Sequence, residues 1–481
     1  NIGELDNAKK HLIHSIELFD KLKDLGKIRD ALSGKFVSLG LIAQILQRQG
    51  DMKAASETFS RIVDLTSQNS SNQNEYAIAM NNRGIFFSEI GKFAEAYKDL
   101  KTAQKILERD HPNNLRLYLI YANIGLVLSQ IGDALDRFSY FKTSNLYLKK
   151  SLKFSEKLYG GDGPWSYGPL LHLCLNSLEL KLRGSITLCI RAKKNGDKFI
   201  PDFGKRKEAT TALARAFLRQ GGIEKAYGYS RENFLHMKEL IIDYSSENED
   251  TRRKTHIKNK INFLFHASLS LHPLLRPERK IGEAYEAIQL AQSSEAAMAM
   301  SKMASRIALS DAGVSSLLRQ KQDLQLKILK LEDNFYETLS KDLFSEKKPT
   351  FRRKYKQIKG LKVELKRLNG RVEKGFPAYS AFMKTDPLSI KETQNILNSN
   401  EVMVLTSGIY NKKLHVFVIT PKKYKTYFID ISRKRIKKIV STLRGSLDLR
   451  GMKSVLEIKP FKHQLAYELY DQLLGKAANL L

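Results

Sequence analysis

The chain has 481 residues, a mass of 54.9 kDa and 42% hydrophobic content, enough for two or three domains with real cores and too apolar for a disordered segment. Its formal charge of +31 is uneven: from Ser301 onward 37 Lys and Arg stand against 17 Asp and Glu, while the first 300 residues hold 45 against 34. No apolar run approaches the roughly 20 residues of a membrane span, and two cysteines without a Cys-x-x-Cys argue against both a disulfide framework and a zinc site. A reducing cytoplasm is the compartment this implies. Starting at Asn1 and stopping within a pattern at Leu481, the chain reads as a piece of a longer protein.

From the first residue a pattern of Gly, a hydrophobic or small residue two positions on, and Ala at the fifth recurs. It appears as Gly3-Leu5-Ala8, Gly50-Met52-Ala55, Gly91-Phe93-Ala96, Gly221-Ile223-Ala226 and Gly282-Ala284-Ala287. Seven positions before three of these glycines stands a small residue, Ala43, Gly84 or Ala214; Gly132 with Gly125 continues the series, its second helix set back by an insertion around Asp136 to Asn145. Two antiparallel helices approach closely only where side chains are small, and glycine makes the turn between them. One such pair leaves an apolar face bare, so the pairs must stack into a superhelix. The fold class is therefore mainly α, and the pattern resembles tetratricopeptide repeats. The spacing from Gly50 to Gly91 is 41 residues, similar to the long repeats of kinesin light chains, and Asp110-His111-Pro112 falls where that subtype has a turn. His111 thus reads as a turn residue, and His11 and His14 as exposed histidines without metal partners.

Gly196, Pro201 and Gly204 mark a loop from Lys193 to Lys207, and Asp243 to Arg253 is a second polar break. Helix resumes over Ile261 to His272 and Gly282 to Arg306, where Met298, Met300 and Met303 read as core. Asp311 to Phe344 is a long amphipathic helix with Leu317, Leu318, Leu324, Ile328, Leu331 and Phe335 near one face, and Tyr355 to Val372 carries a second stripe through Ile358, Leu361, Leu365 and Leu368. The two form a helical hairpin. Its second arm bears a basic patch, Arg352, Arg353, Lys354, Lys356 and Lys359, interleaved with Phe351 and Tyr355. Basic residues beside aromatics bind nucleic acid through phosphates and stacking, and they also serve simply as a solvated helix face.

Past Phe376 the pattern changes. Ser389 with Glu392 makes a capping box for a short helix ending near Leu397. Glu401 to Thr406 and Leu414 to Thr420 read as a β-hairpin, Tyr424 to Asp430 as a third strand, Ser432 to Leu443 and Phe461 to Leu474 as helices. Strands joined partly by helices suggest an α/β sheet. The order Phe376-Pro377-x-Tyr379, Pro387-Leu388-Ser389, helix, Asn400-Glu401, strand, turn, Val416-Phe417-Val418-Ile419-Thr420 resembles the opening of the CHAT domain, as does Ala466-Tyr467-Glu468-Leu469-Tyr470 further on. This resemblance implies the incomplete start of a caspase-like cysteine peptidase domain regulated by the repeats. The family's catalytic His and Cys follow later core strands, so none of Cys174, Cys189 and His415 takes either role.

The expected organisation is a repeat superhelix over 1–283, a helical linker and hairpin over 284–375, and the front of a caspase-like domain over 376–481. No catalytic, metal or cofactor residue is assigned, since G-x-x-x-x-G-K-[ST], H-E-x-x-H and G-x-S-x-G are all missing. Three functions follow: a sensor that binds a protein or peptide in the repeat groove and regulates a peptidase whose dyad lies beyond Leu481, an inactive scaffold, or a nucleic-acid-associated sensor. Enzyme status stays open, and the chain itself is expected to cleave nothing.

Overall fold

In the computed structural model, helices pair off around residues with left-handed backbone. The residues described are 2–24, 28–68, 73–112, 114, 116–159, 162–201, 203–241, 249–276, 280–292, 312–343, 351–375, 387–408, 414–431, 433–447 and 460–481. The first eleven helices are α1 (Ile2–Asp24), α2 (Ile28–Gln49), α3 (Met52–Ser67), α4 (Gln73–Glu89), α5 (Phe93–Asp110), α6 (Arg116–Leu135), α7 (Phe138–Tyr159), α8 (Tyr167–Glu179), α9 (Ser185–Phe199), α10 (Phe203–Arg219) and α11 (Ile223–Ile241). Gly50, Gly91 and Gly221, with φ of 88°, 80° and 79°, turn α2 into α3, α4 into α5 and α10 into α11. At each turn the next N–H reaches a carbonyl five residues back: Asp51 to Leu46 at 3.0 Å, Lys92 to Phe87 at 2.8 Å, Gly222 to Phe217 at 2.9 Å. Those bonds satisfy helix-end carbonyls, and the left-handed backbone they need costs an L side chain roughly 1–2 kcal/mol, which selects glycine.

Two further turns have the same build without glycine. Asp136 (φ 50°) follows α6, with Arg137 N–H to Gly132 O at 3.1 Å, and Lys181 (φ 54°) follows α8, with Leu182 N–H to Ser177 O at 2.9 Å. The expected turn at Gly132 is corrected: this glycine lies inside α6, where the Phe141 ring packs over it. Nor is there an inserted loop, because α7 already begins at Phe138. Gly3 and Gly282 are likewise helical, and Ala8 is exposed, so the first and last members of the series are not hairpin turns.

The chain forms two compact units, Asn1–Ala216 with Asp323–Lys366, and Phe217–Gln322 with Arg367–Leu481. In the first, small residues admit the neighbouring helix. Ala43, Ala55 and Ala96 are fully buried, and a methyl built on Gly125 would stand 2.6 Å from Leu148 Cγ, closer than any tolerated contact. A second correction concerns the cysteines. Cys174 on α8 and Cys189 on α9 are joined in a buried disulfide across one helical hairpin, with Cα atoms 4.9 Å apart. Two single cysteines fifteen residues apart carried no motif, yet the antiparallel pairing of α8 and α9 brings them face to face. The loop expected over Lys193 to Lys207 shrinks to the residues around Pro201, since α9 continues through Gly196, against which Tyr167 packs. A third correction is to the membrane reading. α6 is long and apolar enough to cross a membrane by length and composition, with a mean hydropathy of 1.2. Its Leu117, Ile124 and Val127 are buried in the repeat core between α4, α7 and α8.

The same unit holds parts of α14 (Ala312–Leu343) and α15 (Phe351–Gly375). They run antiparallel: Phe335 meets Tyr355 at 6.4 Å between ring centroids, and Lys362 Nζ reaches Glu332 at 2.6 Å. Phe335 and Ile358 are fully buried with Phe199, and Trp165 and Leu331 pack against them. Met298, Met300, Met303 and the Phe376 to Tyr379 segment lie outside the described residues.

In the second unit α11, α12 (Glu249–Ser270) and α13 (Ile281–Gln292) are held by one carboxylate. Glu283 of α13 accepts from Tyr227 at 2.5 Å and from Arg231 at 2.6 Å, and lies 3.4 Å from the buried His266 ring. Burial alone would raise Glu283, but His266, Tyr227 and Arg231 outweigh it and bring the carboxyl down to about 2. After α16 (Ile390–Ile396), capped as expected by Ser389 and Glu392, come β1 (Met403–Gly408), β2 (Leu414–Ile419) and β3 (Tyr424–Ile429), then α17 (Arg433–Leu447) and α18 (His463–Leu474). The sheet order is β1-β2-β3, both pairs antiparallel, with Leu405 opposite Phe417 and Val416 opposite Tyr427. Sequence neighbours are sheet neighbours and both pairs are antiparallel, so the expected α/β sheet is corrected to a small antiparallel meander. Alternation along β2 sends Val416 and Val418 toward Ile439 of α17 and Leu469 of α18, while Phe417 meets Tyr285 of α13 at 5.1 Å. Both faces of the central strand are thus covered.

Candidate protein-interaction surface

The helices that open each hairpin touch in sequence, α4 with α6 and α6 with α8. Side chains along them bond from one hairpin to the next. Gln47 on α2 donates to Glu89 on α4. Asn123 on α6 donates to Asn81 on α4 at 2.9 Å, and Ser88 on α4 donates to Gln130 on α6 at 2.6 Å. Ser129 on α6 donates to Asn176 on α8 at 2.9 Å, and Arg215 on α10 to Glu179 on α8 at 3.0 Å. The first three pairs share a sequence separation of 42, one residue more than the 41-residue repeat. Asn81, Asn123 and Gln130 are half-buried and Asn82 and Glu89 exposed, which leaves amide and carboxylate groups at the surface in a repeating row. An amide carries both donors and acceptors, so one spent on its neighbour retains others for a ligand backbone. The sequence reading contains no such row; its signal is the recurrence of polar residues at the repeat length, which is weaker than the pattern of small residues and glycines beside it.

No known-family profile and no curated protein sequence matches the chain. Among solved structures, the crystal structure of BtubC (BKLC) from P. vanneervenii is similar at 13% identity and a TM-score of 0.42, over 51% of this chain and 93% of that one. A Podosopora anserina kinesin light chain structure with nearly identical TPR-like repeats gives 13% and 0.29 over 40% and 96%. Pseudomonas aeruginosa pilF gives 18% and 0.30 over 49% and 93%. At these scores the likeness carries no functional argument. The stacked hairpins, like those of tetratricopeptide repeats, stand on their own turns and packing.

The basic residues singled out from the sequence all lie on α15. Arg353, Lys356 and Lys359 are exposed, and Lys354 is half-buried with Nζ 3.4 Å from Asn334 O. Arg352 belongs to the helix, but its side chain is not among those described. Tyr355, the aromatic among them, is engaged: its hydroxyl donates to Asp197 O at 2.7 Å, its ring faces Phe335, and Lys359 Nζ lies 5.6 Å from its centroid. Lys362 turns inward as well, donating to Pro201 O at 3.0 Å.

Other titratable candidates are structural. His111 ends α5, its N–H bonded to Leu107 O at 2.9 Å, in keeping with a turn residue. His415 sits in β2 at 1% exposure, Nε2 2.8 Å from Thr426 Oγ1 and the ring between Phe417 and Phe428. Burial pushes its imidazole down to about 4, so it is neutral at physiological pH.

Proposed function

We propose that the repeat stack is a protein-interaction scaffold whose row of first-helix amides receives an extended segment of a protein partner. The observation that carries this is the repeating separation of 42 between bonded polar pairs, which sets equivalent groups one hairpin apart along a single surface. An extended chain presents N–H and C=O groups at regular intervals, and rigid helical repeats meet it with little ordering cost on their own side. The test is selection of linear peptides from a random library on the whole chain. Recovered peptides should lose roughly tenfold or more in affinity when Asn82 and Asn123 both become Ala, in line with two lost hydrogen bonds. Binders indifferent to that change would move the site elsewhere.

A second reading concerns the C-terminal module. It rests on the sequence resemblance to CHAT alone, drawn at the capped α16, the β1-β2 strands and the Ala466 to Leu474 helix, and takes the chain as a sensor coupled to a caspase-like domain whose dyad lies beyond this chain. On that reading 1–283 would sense, 284–375 would connect and 376–481 would open the effector domain. The chain as given should then cleave no peptide, because clan CD chemistry needs a thiolate beside an imidazole and both cysteines are spent in a disulfide. The experiment is incubation with unstructured peptides and a thiol-reactive peptidase probe. Cleavage abolished by Cys174→Ala or Cys189→Ala would overturn the division of labour, and a parent sequence lacking His and Cys after later strands would leave the inactive scaffold. The nucleic-acid alternative rests on the charge of α15 alone.

A further inference from the structure

We infer that the outer face of α15 is a docking surface for an acidic amphipathic helix of a partner protein, separate from the amide row on the first helices. The helix is pinned from beneath. Ile358 is fully buried with Phe335 and Phe199, Tyr355 bonds Asp197, and Lys362 bonds both Glu332 and Pro201 O. With its inner face fixed, the flank that runs from it to the outer side is presented rigidly: Arg353, Lys356, Lys359 and Val363, all exposed, at steps of three and four residues, with exposed Glu364 beyond them. These steps trace one stripe of an α-helix. Arg353, Lys356 and Lys359 have no carboxylate partner among the described residues, whereas Lys362 on the inner side does.

The character of the stripe selects among polyanions. A nucleic acid bound without sequence preference needs open aromatic faces for its bases. Among the described side chains of the patch the aromatic is Tyr355, and it offers none, since Phe335 and Lys359 occupy its surroundings and Asp197 holds its hydroxyl. A membrane surface asks for a broad apolar face beside the cations, but among the described side chains of α15 a single large apolar one, Val363 at 55% exposure, is exposed and ends the row. Cations at helical spacing next to one exposed valine match a partner helix with carboxylates at the same spacing and an apolar residue to cover the valine. Charge complementarity of this kind sets orientation and association rate.

The test uses the full chain and three fluorescent probes: a synthetic amphipathic helix with Glu on one stripe and Leu beside it, single-stranded poly(U) RNA, and vesicles rich in anionic lipid. The acidic peptide is expected to bind most tightly, to weaken as salt rises, and to lose roughly tenfold in affinity in the Lys356→Glu, Lys359→Glu double variant. Val363→Asp should weaken it as well, while Lys356→Arg with Lys359→Arg retains binding. A circular-dichroism melt confirms that each variant is folded. Tighter binding of RNA or of vesicles than of the peptide overturns the proposal, and so does equal peptide binding by the double variant. The Asn82→Ala, Asn123→Ala variant should bind the acidic peptide as wild type does, so this proposal and the amide-row reading fail separately.

Discussion

At the scale of single residues, the hairpin turns show where backbone geometry and side-chain identity disagree. Asp136 sits at φ 50°, in the position that glycine fills at Gly50, Gly91 and Gly221. Asp136→Gly should therefore stabilise the protein by up to roughly 1 kcal/mol, the relief of left-handed strain less the extra freedom of glycine in the unfolded chain. A thermal melt shifted downward by that substitution would show that Asp136 contributes something beyond the turn. His415 offers a pH test. Its imidazole is held near 4 when folded by burial, against 6.5 when unfolded, so the unfolded chain takes up the proton first. The stability it protects is complete above about 6.5 and is lost as pH falls toward 4, roughly 3 kcal/mol at the acid end. His266 is also lowered by burial and works in the same direction. The readout is consequently the difference between His415→Gln and wild type in hydrogen exchange of β2 amides. Equal losses of protection across this window would clear His415 of any part in acid sensitivity.

At the scale of elements, the disulfide staples α8 to α9. Closing a loop of 15 residues stabilises by roughly 3 kcal/mol on chain-entropy grounds. Oxidised protein should lose about that much on reduction by a dithiol, and a Cys174→Ala, Cys189→Ala chain should melt at one temperature with or without reductant. A wild-type melt insensitive to reductant would mean that the thiols are free in solution. How legible these elements were depends on where their signals reside. The helices were readable because a small residue facing another, such as Gly84 before Ala96, is a local pattern with a packing cause, and the Ser389 capping box was readable within four residues. Gly132 misled because a buried helical glycine and a turn glycine look alike in sequence. The turns at Asp136 and Lys181 had no signal at all, since a left-handed aspartate or lysine is imposed by the packing on either side of it. The strands were found but their connection was misjudged: a meander covered by helices on both faces has the same alternation of apolar runs and helices as an α/β sheet. The amide row is hidden differently, for a single polar residue on a helix reads as solvated surface and gains meaning only from its partner one hairpin away.

At the scale of the whole molecule, each compact unit has its own core, one around Phe86, Leu100 and Ile124, the other around Tyr285, Phe417 and Phe234. Tyr285→Ala removes a fully buried ring that packs on Phe417 and bonds Thr393, at a cost of about 3–5 kcal/mol. Hydrogen exchange should show the loss in α13 and β2 while amides of α4 to α7 keep their protection. A uniform loss across both would mean that the chain unfolds as one cooperative body. The stacked hairpins have a mechanical corollary. Because every hairpin from α2 to α9 leans mainly on the next, tension applied to the ends of this stretch has no single lock to break and would peel the stack one pair at a time, in a series of small extensions. One increment would be shorter than its neighbours: the chain between Cys174 and Cys189 cannot lengthen while the sulfurs are joined. Adding reductant would restore the missing length, so the stapled hairpin would serve as an internal ruler for the order in which the others let go.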